Sequence, residues 1–178
     1  MNENFRITRA TQDDAVQVAR IHIAATRAAY RDIYTLEYLD GLSTEDRAYR
    51  WIEKDRGHLA LGDPFSVFVA FDNDMMIGFA DVGPTTKSGV AELYAIYLDP
   101  EYIAKGAGKV LLEACIDYAG RNGFKAMIAT VLTKNSLARA FYERRGARAL
   151  TETETLIETG GTKEKVISYL WDNLQQAD

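Results

Sequence analysis

Residues 91–112, AELYAIYLDPEYIAKGAGKVLL, contain the signals for a strand, a glycine turn and a helix, in that order. Aliphatic and aromatic residues dominate as far as Leu98, which is typical of a buried strand. Pro100 then ends the strand, because proline has no N–H group for the ladder. The turn Gly-Ala-Gly at residues 106–108 opens a helix whose first backbone N–H groups are free and lie at its positive end. The stretch therefore predicts a phosphate site.

The glycine turn fails two common nucleotide motifs and fits a third. The fingerprint G-x-G-x-x-G fails because its third glycine is Leu111, and the phosphate loop fails because Val110 replaces its Ser or Thr. Residues 103–108 instead resemble Q/R-x-x-G-x-G/A, the acetyl-CoA-binding motif of the GNAT N-acetyltransferase superfamily. Ile103 departs from the usual Gln or Arg. Because backbone N–H groups hold most of the diphosphate in that family, the expected loss is one neutral hydrogen bond, about 0.5–1.5 kcal/mol.

A second stretch, residues 134–147, resembles the same family's pattern N-x-x-A-x-x-F-Y-x-x-x-G-F, with Ala147 in place of the final aromatic residue. Asn135 is also a good helix N-cap, and that role alone could explain it. Tyr142 shares a helical face with Phe141, so core packing is one interpretation of both residues. The resemblance implies another role for Tyr142, whose hydroxyl would point at the cofactor sulfur. The two motifs occur in the family's order, separated by one helix and one strand.

Turn signals and hydrophobic periodicity predict an α/β fold. The resemblance implies a single-domain GNAT-like fold, in which a mixed, mostly antiparallel twisted sheet of about seven strands is flanked by about four helices. Residues 30–39 are aromatic without a clear period and are expected to form a hydrophobic plug or one wall of a pocket. The predicted strands are residues 5–9, 65–71, 75–82, 92–98, 125–132, 147–158 and 163–171, and the predicted helices are residues 15–31, 44–56, 108–121 and 135–145.

Composition and charge limit the classes of function. The chain has 178 residues, a net charge of −5, two histidines and one cysteine. These values predict one domain over residues 1–178, a buried Cys115 without a disulfide, no protein-built metal site and no nucleic-acid partner. No segment has the length and apolar character of a membrane span or signal peptide, so the expected location is the cytoplasm. Homodimers are common in the family, and the sequence leaves this possibility open.

The resemblance also implies how acetyl-CoA is held as co-substrate. Backbone groups of β-strand residues would pair with the pantetheine arm as an added strand does, and the N–H groups of the glycine turn would hold the diphosphate. The two lysines of the turn either add charge there or are solvated surface residues. The residues so implied are Ile96, Leu98, Ile103, Ala104, Lys105, Gly106, Ala107, Gly108, Lys109 and Asn135.

The chemistry of acetyl transfer suggests two catalytic residues. An alkylammonium has a pKa near 10.4, so forming the neutral amine at pH 7 costs about 4.6 kcal/mol, and a positioned base contributes about 10²–10⁴-fold. Glu92 is the candidate base, because a carboxylate within an apolar strand needs a reason. It also stands eleven residues before Ile103, as the catalytic glutamate does in histone-acetylating family members. A strand-start glutamate facing water is the alternative. Tyr142 is the candidate acid that protonates the departing thiolate.

The acceptor is less constrained by the sequence. In the family, the first two helices and the loop between them form the acceptor wall, so Tyr30, Tyr34, Tyr38 and Trp51 are candidates and His22 is a distant one. Aromatic rings near a carboxylate suit a cation, although core packing explains each of them as well. The N-terminal half loosely resembles bacterial members that acetylate small amines such as polyamines, and a protein N-terminus or lysine side chain is the rival acceptor.

Two other classes of function remain open. One is a catalytically silent acyl-CoA-binding sensor, against which the presence of both Glu92 and Tyr142 speaks. The other is an unrelated nucleotide-binding α/β domain. An acetyl-CoA-dependent N-acetyltransferase with a small-molecule amine as substrate is the leading hypothesis.

Overall fold

A computed structural model describes residues 5–54 and 56–174, which form one seven-stranded sheet with helices on both faces. The strands are β1 (Arg6–Arg9), β2 (Ser66–Asp72), β3 (Met75–Pro84), β4 (Val90–Leu98), β5 (Ala126–Leu132), β6 (Arg148–Thr159) and β7 (Thr162–Asp172). The helices are α1 (Ala15–Tyr30), α2 (Leu36–Asp40), α3 (Thr44–Ile52), α4 (His58–Leu61), α5 (Ala107–Arg121) and α6 (Ser136–Arg144).

The strand order is β1-β2-β3-β4-β5-β7-β6, and every neighbouring pair is antiparallel except β4 and β5, which are parallel. The predicted α/β fold with a mixed, mostly antiparallel sheet of seven strands is confirmed. Helix α5 crosses between the two parallel strands, as such a connection requires.

The core has two parts, one on each face of the sheet. On one face, α1 and α3 pack on β2 and β3, with Val18 and Phe79 fully buried. On the other face, α5 packs on β3, β4 and β5 through Leu111 and Cys115. The cysteine is a buried free thiol, as its position on the apolar helix face predicts.

The parallel pair of strands opens after three residues. Val90, Ala91 and Glu92 of β4 are paired with Ala126–Ile128 of β5, and within the described chain the rest of β4 is paired with β3 but not with β5. The partner strands then diverge, since β5 continues as far as Leu132 beside β7. The sheet therefore has a cleft beside residues 93–98, and Glu92 lies at its closed end.

The helices of the N-terminal half differ from the prediction. The helix expected over residues 44–56 ends at Ile52, because Glu53 has an extended ψ of 123°, and the short α4 follows separately. The segment without a clear period contains the five-residue α2, capped by the Thr35 side chain. The chain therefore has six α-helices in its described part rather than about four, and two of them span five residues or fewer.

Candidate active site

The edge of β4 along the cleft carries free backbone groups. The N–H of Asp99 donates to the carbonyl of Ile77 on β3 at 2.8 Å. Because the residues of an antiparallel strand alternate between bonding to the partner and pointing away, Tyr97 is also directed to β3, whereas Ile96 and Leu98 direct their backbone groups to the opposite side. That side is the cleft. The two residues expected to pair with the pantetheine arm thus have backbone groups of the required orientation.

The glycine turn after β4 has the backbone conformation that its sequence suggests. Gly106 is the N-cap of α5 with φ of 104°, a left-handed value that favours glycine. Within residues 5–54 and 56–174, the N–H groups of Gly106, Ala107 and Gly108 make no backbone hydrogen bond. Several free donors at the N-terminus of a 15-residue helix suit a diphosphate. The donor set of the cleft edge and turn therefore fits coenzyme A.

The lysines of the turn make contacts of their own. The Lys105 ammonium lies 4.6 Å from the centre of the Tyr102 ring, and Lys109 pairs with Glu113 one helical turn on, with nitrogen and oxygen 3.7 Å apart. The Lys109 pair is exposed. Ile103 is 41% exposed and lies in the turn with an extended backbone. The structure thus leaves both interpretations of the lysines in place.

Tyr142 is buried beside the cleft, with 6% of its surface exposed. Its ring packs edge-on against Trp171 at 5.3 Å and also contacts Tyr169. Burial, and to a lesser extent the neighbouring Tyr30, raise the pKa of Tyr142 well above the ordinary value of a phenol. The hydroxyl is therefore protonated at every physiological pH and is available as a hydrogen-bond donor.

A group of tyrosines from separate elements meets at this point. The rings of Tyr30 and Tyr34 stack at 4.7 Å, and the Asn135 amide donates to the Tyr30 hydroxyl at 3.4 Å. Asn135 also caps α6 through the N–H of Ala138 at 3.1 Å. Burial and the nearby Tyr30 raise the pKa of Tyr97 on β4. Tyr97 was not predicted as a site residue, although it lies within the strand predicted over residues 92–98.

The turn between β6 and β7 closes one side of the tyrosine group. The Tyr34 hydroxyl lies 3.2 Å from the Thr159 hydroxyl, and the N–H of Thr35 donates to the carbonyl of Gly160 at 2.9 Å. Tyr38 packs edge-on against Tyr34 at 5.4 Å. Of the two roles expected for this aromatic segment, its location fits the wall of a pocket.

Glu92 lies at the closed end of the cleft, near His58 and Asp81, neither of which was predicted as a site residue. Its side chain is half-buried. Burial and then the Asp81 carboxylate raise the pKa of Glu92, whereas His58 lowers it. His58 Nδ1 and Asp81 Oδ2 lie 2.7 Å apart. Glu92 and Tyr142 share no hydrogen bond in the described chain and lie in separate groups of side chains.

Trp51 and His22 are core residues rather than parts of an open wall. Trp51 is 9% exposed and packs edge-on against Phe79 at 5.4 Å. His22 stacks on Tyr97 at 4.6 Å, and burial together with Arg47 lowers the pKa of His22 to about 3. The packing alternative fits Trp51, and the acceptor-wall role expected for it does not fit its burial.

A separate open cavity of about 510 Å³ lies between α2, α3 and the β6–β7 turn. Neither Glu92 nor Tyr142 lines it, so it is not the centre of the proposed chemistry.

No helix in the described part of the chain has the length and apolarity needed to cross a membrane. The same residues contain no cluster of three or more His, Cys, Asp or Glu side chains that could hold a metal ion.

Comparison with known proteins identifies the family. The model of the Acetyltransferase (GNAT) family matches residues 24–147, from α1 to the end of the second motif. This chain belongs to the GNAT acetyltransferase family. The transfer of acetyl groups from acetyl-CoA is therefore its reaction type, and the family resemblance of the two motifs is confirmed.

Relatives of known sequence match two thirds of the chain or more. An uncharacterised N-acetyltransferase of Bacillus subtilis, YuaI, is 28% identical over 172 residues, which are 94% of this chain and 93% of that protein. The [ribosomal protein bS18]-alanine N-acetyltransferase of Escherichia coli is 29% identical over 120 residues, covering 67% of this chain and 79% of its own length.

Solved structures share the fold at lower identity. The PaiA N-acetyltransferase of Thermoplasma acidophilum, solved in complex with coenzyme A, has a TM-score of 0.70 at 22% identity, over 93% of this chain and 98% of that one. The ribosomal-protein-alanine N-acetyltransferase of Brucella melitensis has a TM-score of 0.71 at 20% identity, over 94% and 99% of the two chains.

Proposed function

We propose that this GNAT enzyme acetylates the primary amine of a small cationic molecule such as a polyamine. The observation that carries the proposal is the opening of the sheet directly after Glu92, which places a carboxylate at the closed end of a cleft with free backbone groups on its β4 edge. Carboxylates and aromatic rings together attract a cation.

The cleft edge and the glycine turn are the proposed binding surface for acetyl-CoA, which supplies the acetyl group as a thioester. Backbone groups of Ile96 and Leu98 pair with the extended pantetheine arm, as in strand addition. The free N–H groups of Gly106, Ala107 and Gly108 hold the diphosphate. Asn135 acts indirectly, since its side chain caps α6 and contacts Tyr30.

Glu92 is the proposed general base. Its raised pKa brings the carboxylate closer to neutral pH, where a base is most effective at removing a proton from an ammonium group. The proton passes from the ammonium group to Glu92 either directly or through a water molecule. Tyr142 is the proposed general acid, because its raised pKa keeps the phenol protonated until a thiolate departs.

The acceptor site is proposed to lie against the tyrosines of α1 and the loop that follows it. The rings of Tyr30 and Tyr34 stack on each other there. The β6–β7 turn contacts Tyr34 and Thr35 and so narrows the proposed acceptor site on that side. A narrowed, aromatic entrance favours a slender flexible amine over a folded protein surface. His22 contributes no charge, because its low pKa keeps it neutral.

A protein N-terminus is the second candidate acceptor. The observation that favours it is the 29% identity with the E. coli enzyme named as an alanine N-acetyltransferase of ribosomal protein bS18. An extended N-terminal segment needs less room than a folded domain, so the narrowing at Tyr34 weighs less against it.

The test is release of free thiol from acetyl-CoA with a panel of acceptors. The panel contains spermidine, spermine, single amino acids, an aminoglycoside, a peptide with an N-terminal alanine and a peptide with an internal lysine. With the polyamines we expect release above the no-acceptor blank, and for Glu92→Gln we expect that release to be at least about 10²-fold slower at neutral pH. Release only with the alanine peptide would select the second candidate. Silence across the panel together with acetyl-CoA binding by calorimetry would indicate a non-catalytic sensor instead.

A further inference from the structure

Three side chains from distant parts of the sequence meet on the face of the sheet that carries α1, α3 and α4. Asp81 and Gly83 are two residues apart on β3 and therefore face the same side, and Gly83 is paired with Glu92 of β4. Asp81 and Glu92 are thus diagonal neighbours across two strands, within reach of each other's charge. Gly83 has no side chain of its own, and the Phe65 ring lies against its backbone.

His58 is held beside this pair of carboxylates by contacts on several sides. Its Nδ1 is 2.7 Å from Asp81 Oδ2, its ring lies against Phe65 with centroids 4.3 Å apart, and the Tyr94 ring meets it edge-on at 4.8 Å. Tyr94 is in turn fixed by a hydrogen bond from its hydroxyl to the Pro84 carbonyl at 2.6 Å. The imidazole ring therefore has one orientation, with Nδ1 toward Asp81.

The position of Tyr94 comes from an irregularity in the sheet. Asp81 is paired with Ala95 but the next residue, Val82, is paired with Leu93, so Tyr94 is an extra residue in β4. Such a bulge redirects side chains locally. Here it brings the Tyr94 ring to the face occupied by Glu92 and His58.

Asp81 is a buried carboxylate whose one hydrogen-bond partner among the described side chains is His58. The residue is 2% exposed, Oδ1 has no hydrogen-bond partner among the described atoms, and Oδ2 contacts His58. Two nearby carboxylates in a site with little water do not both ionise unless a cation accompanies them. The side chain that contacts one of these carboxylates and faces the other is the His58 imidazole.

We propose that His58, anchored by Asp81, is a positioning residue that keeps Glu92 ionised as the base of acetyl transfer. The inference rests on the proposed role of Glu92 in the function above. It extends that role to two residues outside both family motifs, one on a four-residue helix and one in the middle of β3.

Asp81 and His58 shift the pKa of Glu92 in opposite directions, and this makes the proposal testable. The titratable groups that face Glu92 are Asp81 from β3, His58 from α4 and Tyr94 from β4, while its paired neighbour on β5 is the apolar Ile128. After burial, Asp81 makes the larger contribution and raises the pKa of Glu92, whereas His58 lowers it. Removing His58 should therefore raise the pKa of Glu92, and removing the Asp81 charge should lower it.

The experiment is a ¹³C-carboxyl NMR titration of the full chain, with the Glu92 signal assigned from its absence in Glu92→Gln. We expect the Glu92 midpoint to move up in His58→Gln and down in Asp81→Asn. The control is His22→Phe, which removes the other histidine of the chain and should leave the midpoint in place. Equal or absent shifts in the two variants would overturn the proposal.

Folding failure and failure of the base assignment remain distinguishable. If Asp81→Asn does not fold, His58→Gln decides alone, since the His58 side chain is 19% exposed and an amide can still donate to Asp81; its midpoint must rise. The acid limb of kcat/KM is measured on the same variants. Midpoints that move as expected while the acid limb stays fixed would uphold the influence of His58 on Glu92 and would contradict Glu92 as the base.

Discussion

The Tyr34 ring covers the backbone of Gly160 so closely that a Cβ atom at position 160 would overlap it. Gly160 has φ of 60°, in the left-handed region that favours glycine. Hydrogen bonds on either side, from Thr35 N–H to the Gly160 carbonyl and between the Tyr34 and Thr159 hydroxyls, complete the contact. The β6–β7 turn is thereby fixed to the loop between α1 and α2, which is the proposed acceptor wall.

Gly160→Ala should separate the turn from this wall. The new methyl group displaces the Tyr34 ring, so we expect KM for the amine to rise several-fold while the Kd for acetyl-CoA stays unchanged. Because an alanine is strained in the left-handed region, the substitution should also lower the free energy of unfolding by about 1–2 kcal/mol. Steady-state kinetics with a fixed acetyl-CoA concentration and calorimetry of acetyl-CoA binding measure the two quantities.

Gly123→Ala is the matched control for this variant. Gly123 has φ of 82° with open space where a Cβ would stand, so the substitution has the backbone cost without the clash. It should lower the unfolding free energy to a similar extent and leave KM for the amine in place. A similar rise of KM in both variants would show that general destabilisation, rather than the Tyr34 contact, changes acceptor binding.

Glu92→Gln should lower kcat/KM about 10²-fold or more at neutral pH, because the substrate ammonium loses its base. The deficit should shrink as the pH rises, since the amine then loses its proton to the solvent. Because the pKa of Glu92 is raised in the folded protein, the wild-type rate should fall as the pH drops through that value. A pH–rate profile that keeps its shape in the variant would exclude Glu92 as the base.

Tyr142→Phe should lower kcat and leave acetyl-CoA affinity nearly intact. The ring keeps its packing against Trp171, and the hydroxyl has no hydrogen-bond partner among the described residues, so its removal should cost the fold little. Single-turnover thiol release measures the chemical step. Tyr49→Phe is the control, because the Tyr49 side chain is exposed on α3, and this variant should match the wild type. Normal turnover per folded molecule in Tyr142→Phe would assign this tyrosine to the core alone.

The sequence was sufficient for the parts of the molecule that depend on local pattern. The strand at residues 92–98, the turn at Gly106 and the cap at Asn135 follow from propensity, glycine conformation and capping, and all three occur as expected. The end of the predicted helix at residues 44–56 was wrong, because no proline or glycine marks the extended Glu53.

The side chains that surround Glu92 could not be predicted from local sequence pattern, for a different reason. Asp81 carried the same signal as Glu92, a carboxylate inside an apolar strand, and could have been singled out by it. His58 carried no signal, because its partner is 23 residues away and the contact depends on a four-residue helix that propensity does not predict. The opening between β4 and β5 likewise depends on how strands far apart in sequence pair.

His22→Phe should flatten the dependence of stability on pH. The pKa of His22 falls from its unfolded value of 6.5 to about 3 in the fold, so the neutral ring stabilises the native state above pH 6.5 and this contribution is lost as the pH falls toward 3. Below pH 6.5 the loss approaches about 1.4 kcal/mol per pH unit. A phenyl ring fits the same aromatic surroundings of Tyr97 and Phe79 and removes Nδ1, which is buried without a partner in the described chain. Urea unfolding at pH 7, 6 and 5 should give similar stabilities for the two proteins at pH 7 and a growing advantage of the variant below it. Equal slopes for both proteins would mean that His22 is protonated in the fold and that its ring reaches solvent.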